Sequence, residues 1–478
     1  MFFLLKKSKS TCTIHRILSH NPSNLMKRLI FSTLSEWLNN KKKKPLVLRG
    51  ARQVGKTWLV RELARKHRKT LIELNFEKDP LAASCFQSND PKVILLAIEA
   101  SLNININPEE SLLFLDEIQA MPEILSKLRW FAEDMPELPV ITAGSLLEFV
   151  LEDHSFSMPV GRISYLHLEP LSFREFLLSQ KKERLYEYLN QYSIKETIPS
   201  ALHQQAMNLF KEYIMVGGMP EAVASWVEKK SLQEINNIHH DLLTTYRDDF
   251  AKYANRPSIP SLEETLLAVP KMLGGKFTYS KVNKEVGTKT IKNALDLLCK
   301  ARVCHRVRCT MANGVPLGAE VKTKMFKAIF LDVGLCNSIL DFKYHQFQDT
   351  EDINLINKGG ISEQVAGQLL RTIEPPYIEP HLYYWTREQK NASAEIDYLI
   401  QHEGSIIPIE IKSGSTGSLK SLHFFMANKA LQKAIRINSD FPSKVTVDIK
   451  TTTGEQANYT LLSLPFYLLE QAARLLND

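Results

Sequence analysis

The run Gly50-Ala51-Arg52-Gln53-Val54-Gly55-Lys56-Thr57 constrains this chain more than any other eight residues in it. It follows Pro45-Leu46-Val47-Leu48, which is short and apolar enough for a buried parallel strand. It precedes Trp58 to Arg65, a good helical stretch. A strand, a GxxxxGKT loop and a helix in that order are the setting of a phosphate-binding loop. Gly50 and Gly55 let the backbone turn and bring its N–H groups close to a β-phosphate. Lys56 supplies a point charge to the β- and γ-phosphates, and Thr57 a hydroxyl to Mg²⁺. The helix start adds the positive end of its dipole. The bland alternative is a glycine-containing turn before a helix. A chance match in a chain of this composition is on the order of a few per cent, and the flanking elements lower it.

A loop that hydrolyses nucleotide needs a second strand ending in an acid, and Leu112-Leu113-Phe114-Leu115-Asp116-Glu117 supplies one. Asp116 emerges where it can hold Mg²⁺, and Glu117 where it can polarise an attacking water. Gly50, Ala51, Arg52, Gln53, Val54, Gly55, Lys56, Thr57 and Asp116 are the nucleotide-binding candidates, with ATP and Mg²⁺ as cofactors, and Glu117 is the candidate base. Thr70 to Phe76 reads as an extra strand between the two motif strands, which points to the catalytic-glutamate group of such ATPases. Leu138 to Ser145 reads as a further buried strand ending in small polar residues. There Ser145, in preference to Thr142, is the candidate to sense a γ-phosphate, against a plain strand-end turn.

Residues 26–255 resemble the AAA-type ATPases of the bacterial and archaeal group fused to a restriction-endonuclease-like C-terminal domain. The segments that carry the resemblance are Pro45 to Thr57, Leu112 to Gln119 (LLFLDEIQ), Ala143-Gly144-Ser145, Gly161-Arg162, Glu169 to Phe176 (EPLSFREF) and Val216 to Glu221 (VGGMPE). The resemblance implies ATP binding and hydrolysis. It also makes Arg162 a candidate to neutralise transition-state charge; a surface arginine paired with a nearby acid is the equal alternative.

At 478 residues the chain has room for several domains, at roughly 100–200 residues each. Its 44% hydrophobic and 24% charged residues are ordinary for a globular protein. No apolar run reaches the ~18 residues a membrane helix needs, and the start lacks the order of charges and apolar residues of a secretory signal. Six dilute cysteines read as reduced thiols of a cytoplasmic protein; Cys299, Cys304 and Cys309 have no second close pair to complete a metal site. Residues 6–25 lack periodic apolar patterning and read as disordered, whereas Leu29, Ile30, Leu34, Trp37 and Leu38 recur at helical spacing. Met26 is therefore an alternative start.

The net charge of +7 is concentrated in two places. Residues 1–50 hold eleven Lys or Arg against Glu36 alone, and residues 271–327 hold thirteen against three acids. In the second segment, Leu262 to Leu273, Tyr279 to Val286 and a helix capped by Thr288 with Ile291, Leu295 and Leu298 on its apolar face resemble a winged helix-turn-helix. Lys281, Lys284, Lys289 and Lys292 lie on the short helices, and Arg302, Arg306 and Arg308 on the strand that follows. Two readings stand: a DNA- or RNA-contacting surface, or a packing module with solvated lysines.

Near the end, Ala394-Glu395-Ile396-Asp397-Tyr398 and Ile406-Ile407-Pro408-Ile409-Glu410-Ile411-Lys412 read as paired strands. Their D…ExK pattern resembles the restriction-endonuclease fold, with Glu363 on the preceding helix as a further acid. The resemblance implies Asp397, Glu410 and Glu363 as metal ligands and Lys412 as the group that activates water. Ile396 stands where that family often has proline, and an ion-paired hairpin is the alternative.

The expectation is thus an α/β chain: a disordered extension (residues 1–25), an AAA+-like P-loop core (26–180), a helical extension (181–256), a winged-helix-like domain (257–345) and an endonuclease-like domain (346–478). The expected function is an ATPase whose nucleotide state controls a nuclease-like domain, with a homo-oligomer among its partners. The alternative is a nucleotide-gated scaffold whose nuclease-like domain is silent.

Overall fold

The computed structural model describes residues 26–145, 147–151, 159–250, 259–342, 359–388, 393–412 and 418–478. The expected N-terminal extension and the expected boundaries at 256 and 345 lie outside these residues. The described chain divides into two compact units, one of residues 31–48 and 57–165, the other of residues 26–30, 49–56 and 166–478.

The first unit is built on apolar runs that form strands in a five-stranded sheet. The strands are β1 (Leu46–Arg49), β2 (Thr70–Asn75), β3 (Ser111–Asp116), β4 (Val140–Ala143) and β5 (Ser164–His167), in the order β2-β3-β4-β1-β5. β1 with β4, β3 with β4 and β2 with β3 all run parallel. Every residue of β3 and β4 is buried, as continuous apolar strands in a parallel sheet require. Leu113, Leu115 and Val140 pack with Ile94, Ile98, Leu128 and Phe131 from the covering helices. The strand between the two motif strands in space is β4; β2, which lies between them in the chain, sits at the sheet edge.

The second unit carries an eight-stranded mixed sheet. Its strands are β6 (Cys304–Thr310), β7 (Val321–Phe330), β8 (Leu382–Arg387), β9 (Ala394–His402), β10 (Ser405–Ile411), β11 (Lys433–Asn438), β12 (Ser443–Lys450) and β13 (Gln456–Pro465), in the order β12-β13-β11-β10-β9-β8-β6-β7. β9 and β10 form the expected antiparallel pair, with Ile407 opposite Ile400 and Ile409 opposite Tyr398. Ile396, Trp385, Leu422, Phe425 and Tyr459 are central to the core beneath them.

The basic segment differs from a free-standing winged helix. Helices Ile259–Lys271 and Thr288–Lys300 form, but Tyr279–Val286 yields only the single 3-10 turn Tyr279–Lys281. Asn283 Oδ1 accepts the Glu285 N–H at 2.8 Å, a local turn that competes with helix, and its amide donates to Glu264. Gly287, not Thr288, is the capping residue. The strands that would be the wing, β6 and β7, belong to the eight-stranded sheet, β7 at its edge and β6 between β7 and β8, to which it runs parallel.

Candidate functional site

In the second unit, the phosphate-binding loop is framed by the EPLSFREF and VGGMPE segments. Leu168 N–H donates to Arg49 O at 2.7 Å, and a Cβ at Gly50 would stand 2.4 Å from Leu168 O, so only glycine fits that approach. Gly55 has φ +96° beside Pro220, the first residue of helix Pro220–Lys229. Gln53 takes φ +63°. Lys56 is buried and donates to Gly50 O at 3.0 Å and Ala51 O at 2.8 Å, its ammonium curled over the loop. Arg52 pairs with Asp249, and its carbonyl accepts from Tyr246.

Arg28, which sequence reasoning passed over, ties this frame together. Its guanidinium donates to Val54 O (3.0 Å), Glu169 O (2.6 Å) and Glu175 Oε1 (3.1 Å), and is 5% exposed. Ser172 and Glu175 form a reciprocal capping box on helix Phe173–Ser179. The Glu169 carboxylate takes two bonds from Arg371, at 2.8 and 3.1 Å. Burial pushes that carboxyl up, but Arg371 and its cationic neighbours hold it at about 2.

In the first unit, Thr57 Oγ1 donates to Asp116 Oδ2 at 3.1 Å. Asp116 is 5% exposed, and burial, together with adjacent Glu117, pushes its pKa up to about 6. A hydroxyl and a carboxylate brought together at a loop end fit the hard oxygen donors that Mg²⁺ takes. Glu117 stands in the left-handed region, φ +51° and ψ +45°, and accepts from Gln119 Nε2 at 2.6 Å. Gln119 lies inside LLFLDEIQ, yet nothing in the spacing assigns it a role. Ser145 is buried just past the end of β4, whereas Thr142 lies within the strand and its buried hydroxyl has no hydrogen-bond partner. Arg162 is 50% exposed and bound to Glu133 Oε1 at 2.6 Å.

The C-terminal acids come together as well. Ile411 N–H donates to Asp397 Oδ2 at 2.8 Å, and Lys412 Nζ lies 2.8 Å from Glu410 Oε1. Glu363, at the start of helix Gly360–Leu370, reaches the same cluster through Lys327 of β7, 2.9 Å from Glu363 Oε2, 2.6 Å from Glu395 Oε1 and 3.8 Å from Asp397 Oδ1. Burial and the Asp397 charge push Glu363 up to about 7 and Glu410 up to about 8. Burial works against the charge of Lys327, but Glu363, Asp397 and Glu395 outweigh it and hold the ammonium ionised. Among the described residues no group of three or more His, Cys, Asp or Glu stands arranged to hold a metal ion; these carboxylates surround an ammonium. They are nonetheless the donor type a hard divalent cation takes. Lys327 and Glu395 were missed by sequence reasoning. The one available signal is that Lys327 is odd-numbered in a strand whose other lysines, Lys322 and Lys324, are even, so it faces the other side.

The basic segment is divided. Lys281, Lys284, Lys289, Lys292 and Arg308 are exposed. Arg302 is 7% exposed and bound to Glu379, and Arg306 pairs with Asp296 against the Phe326 ring, so these two face inward. Cys299, Cys304 and Cys309 carry free thiols that burial pushes up, Cys299 to about 11. Among the described residues no helix is long and apolar enough to cross a membrane.

Residues 42–177 match the model of an AAA domain. Residues 207–346 and 358–466 match two domains of unknown function, DUF8612 and DUF4143. An uncharacterized protein of Methanocaldococcus jannaschii, MJ1637, is 26% identical over 309 residues, covering 59% of this chain and 61% of that protein. The match thus spans less than two thirds of that relative's length. Among solved structures, the Walker-type ATPase PABY2304 of Pyrococcus abyssi aligns at 15% identity with a TM-score of 0.43, covering 66% of this chain and 96% of that one. The RuvB Holliday junction branch migration motor of Thermotoga maritima aligns at 16% identity with a TM-score of 0.28, covering 63% and 93%.

Proposed function

We propose that this chain, whose residues 42–177 form an AAA-type P-loop ATPase domain, is a Mg²⁺-dependent ATPase whose nucleotide state acts on the acidic cluster of its C-terminal half. The observation that carries the reading is the 3.1 Å contact of Thr57 with Asp116, at the end of a loop whose lysine is already folded over it. In this reading the amides of residues 50–57 and the Lys56 ammonium hold the β- and γ-phosphates. Thr57 and Asp116 hold the metal, which when bound neutralises charge on the phosphate oxygens. Glu117 takes the proton of the attacking water, with Gln119 fixing its carboxylate. Ser145 senses the γ-phosphate. Arg162 contributes only after leaving Glu133.

A continuous line of polar contacts supports control of the C-terminal half. Arg28 joins Val54 O to Glu169 O, the Glu169 carboxylate holds Arg371, and Arg371 directly follows helix Gly360–Leu370, which carries Glu363. Exposed Lys281, Lys284, Lys289 and Lys292 support contact with DNA or RNA phosphates. A second reading, a nucleotide-gated scaffold with a silent nuclease-like domain, is favoured by one observation: the ammonium of Lys327 sits among the carboxylates of the acidic cluster.

The test is an ATPase assay with and without DNA and RNA, with cleavage scored in the same tubes. Glu117→Gln is expected to retain nucleotide and lose roughly 10²–10⁴ in turnover; unchanged turnover removes Glu117 from its role. Metal-dependent cleavage abolished by Asp397→Ala, with hydrolysis intact, supports the nuclease; no cleavage under any condition leaves the scaffold.

A further inference from the structure

We propose that Lys327 is a built-in cation occupying the seat a divalent ion would take among Glu363, Asp397 and Glu410, so that the chain closes its own nuclease-like cluster. The proposal rests on the reading of that cluster as a cation site.

Three observations carry it. First, the ammonium contacts carboxylates from two separate elements, helix Gly360–Leu370 and β9, with Nζ 2.9, 2.6 and 3.8 Å from Glu363, Glu395 and Asp397. Lys327 is 4% exposed, and its Nζ lies 5.4 Å from the Tyr384 ring centre. An ammonium has three donors, and two of the three carboxylates, Glu363 and Glu395, stand within hydrogen-bond distance of it. Second, the cluster is only half satisfied. Glu410 is 5% exposed; one carboxylate oxygen holds Lys412, while Oε2 is buried with no hydrogen-bond partner. Third, among the described residues four carboxylates, those of Glu363, Glu395, Asp397 and Glu410, share two ammoniums, Lys327 and Lys412.

An orphaned carboxylate oxygen elsewhere in the same cluster is a cost to stability, since a half-satisfied buried network is worse than an apolar one. A divalent ion accepts six or more oxygens and carries the second charge. It would use Glu363 and Asp397 oxygens now turned toward Lys327, so metal and ammonium compete for one place. Displacement of the Lys327 ammonium is therefore what opens the site.

The experiment is a titration of the full-length chain with Mn²⁺ alone, without nucleotide, following free Mn²⁺ by electron paramagnetic resonance. Lys327→Met is expected to bind one Mn²⁺ at least tenfold more tightly than the unsubstituted chain, and the gain is expected to vanish in Lys327→Met with Asp397→Asn. Glu395→Gln removes the shortest Lys327 contact at a side chain 39% exposed, and keeps the test available if Lys327→Met fails to fold. It is expected to tighten Mn²⁺ binding severalfold, again only while Asp397 is intact. Asp397-dependent binding equally tight in the unsubstituted chain overturns the closing role of Lys327 and leaves the cluster as a cation site. Absence of Asp397-dependent binding in every variant at millimolar Mn²⁺ overturns both.

Discussion

Glu117 reaches its position by entering backbone space that costs a non-glycine residue about 1–2 kcal/mol, and Gln119 then holds its carboxylate at 2.6 Å. The Gln119 side chain lies close over Gly144: a Cβ there would stand 2.2 Å from Gln119 Oε1. That atom is the mobile end of a side chain, so Gly144→Ala should displace the amide at little cost in stability. Gly144→Ala and Gln119→Leu are both expected to lower kcat about tenfold while leaving KM for ATP within twofold, since a lost positioning hydrogen bond is worth about 1–1.5 kcal/mol. Steady-state kinetics on the two variants checks this, and a fall in KM-linked binding instead would assign Gln119 to the nucleotide itself. Gly218 is the opposite case, because its added Cβ would meet backbone, Leu171 O at 2.1 Å, and its N–H donates to Asp332 Oδ2 at 2.6 Å. Gly218→Ala is expected to destabilise the fold by roughly 2–3 kcal/mol, read as a lower urea midpoint with an unchanged slope.

Helix Leu232–Asp248 is locked to the end of helix Ser200–Val216 through His239, whose Nε2 lies 3.0 Å from Val216 O and which is 1% exposed. Burial lowers its pKa from 6.5 to about 4. As pH falls, the unfolded chain therefore takes up the proton first. The stability this group contributes is full above pH 6.5 and is lost toward pH 4, with about 3 kcal/mol at stake. His239→Gln is expected to flatten the decline of the urea midpoint between pH 6.5 and 4.5; an unchanged profile would remove His239 as its source. At this scale the chain was readable where its chemistry is contiguous. The loop after β1, the acids ending β3 and the β9–β10 pair each lie in or directly beside short apolar runs close together in the chain, so period and motif suffice. Arg28 and Arg371 were not readable, because their Glu169 partner stands 141 and 202 residues away. The helix expected at Tyr279–Val286 failed for a local reason, the Asn283 turn outweighing the spacing of Val282 and Val286. The strand expected after the helices forms as β6, but its second neighbour, β8, stands far away in the chain and could not be read locally.

Across the second unit, the Glu169–Arg371 pair joins the frame of the phosphate loop to the end of helix Gly360–Leu370, alongside Gln368 of that helix, whose amide donates to Tyr213 and Asp332. Both side chains of the pair are about nine-tenths buried, so removing one partner leaves the other charged without an ally. Hydrogen exchange offers a readout: added ATP is expected to slow amide exchange in residues 360–371 several-fold, and Arg371→Met to weaken that response while ATP still binds. Exchange that responds equally in the variant would route the coupling elsewhere.

The sheet shared by β6, β7 and β8 has a consequence for ancestry. The seam between the two matched regions of unknown function, near residue 346, divides the chain but not the sheet, since β6 on one side bonds to β8 on the other. A genetic crossover at that seam would hand each daughter gene half of a hydrogen-bonded ladder and separate Lys327 from its acids. The two regions should therefore be inherited as a pair, and chimaeras spliced there from distant relatives should express as insoluble protein.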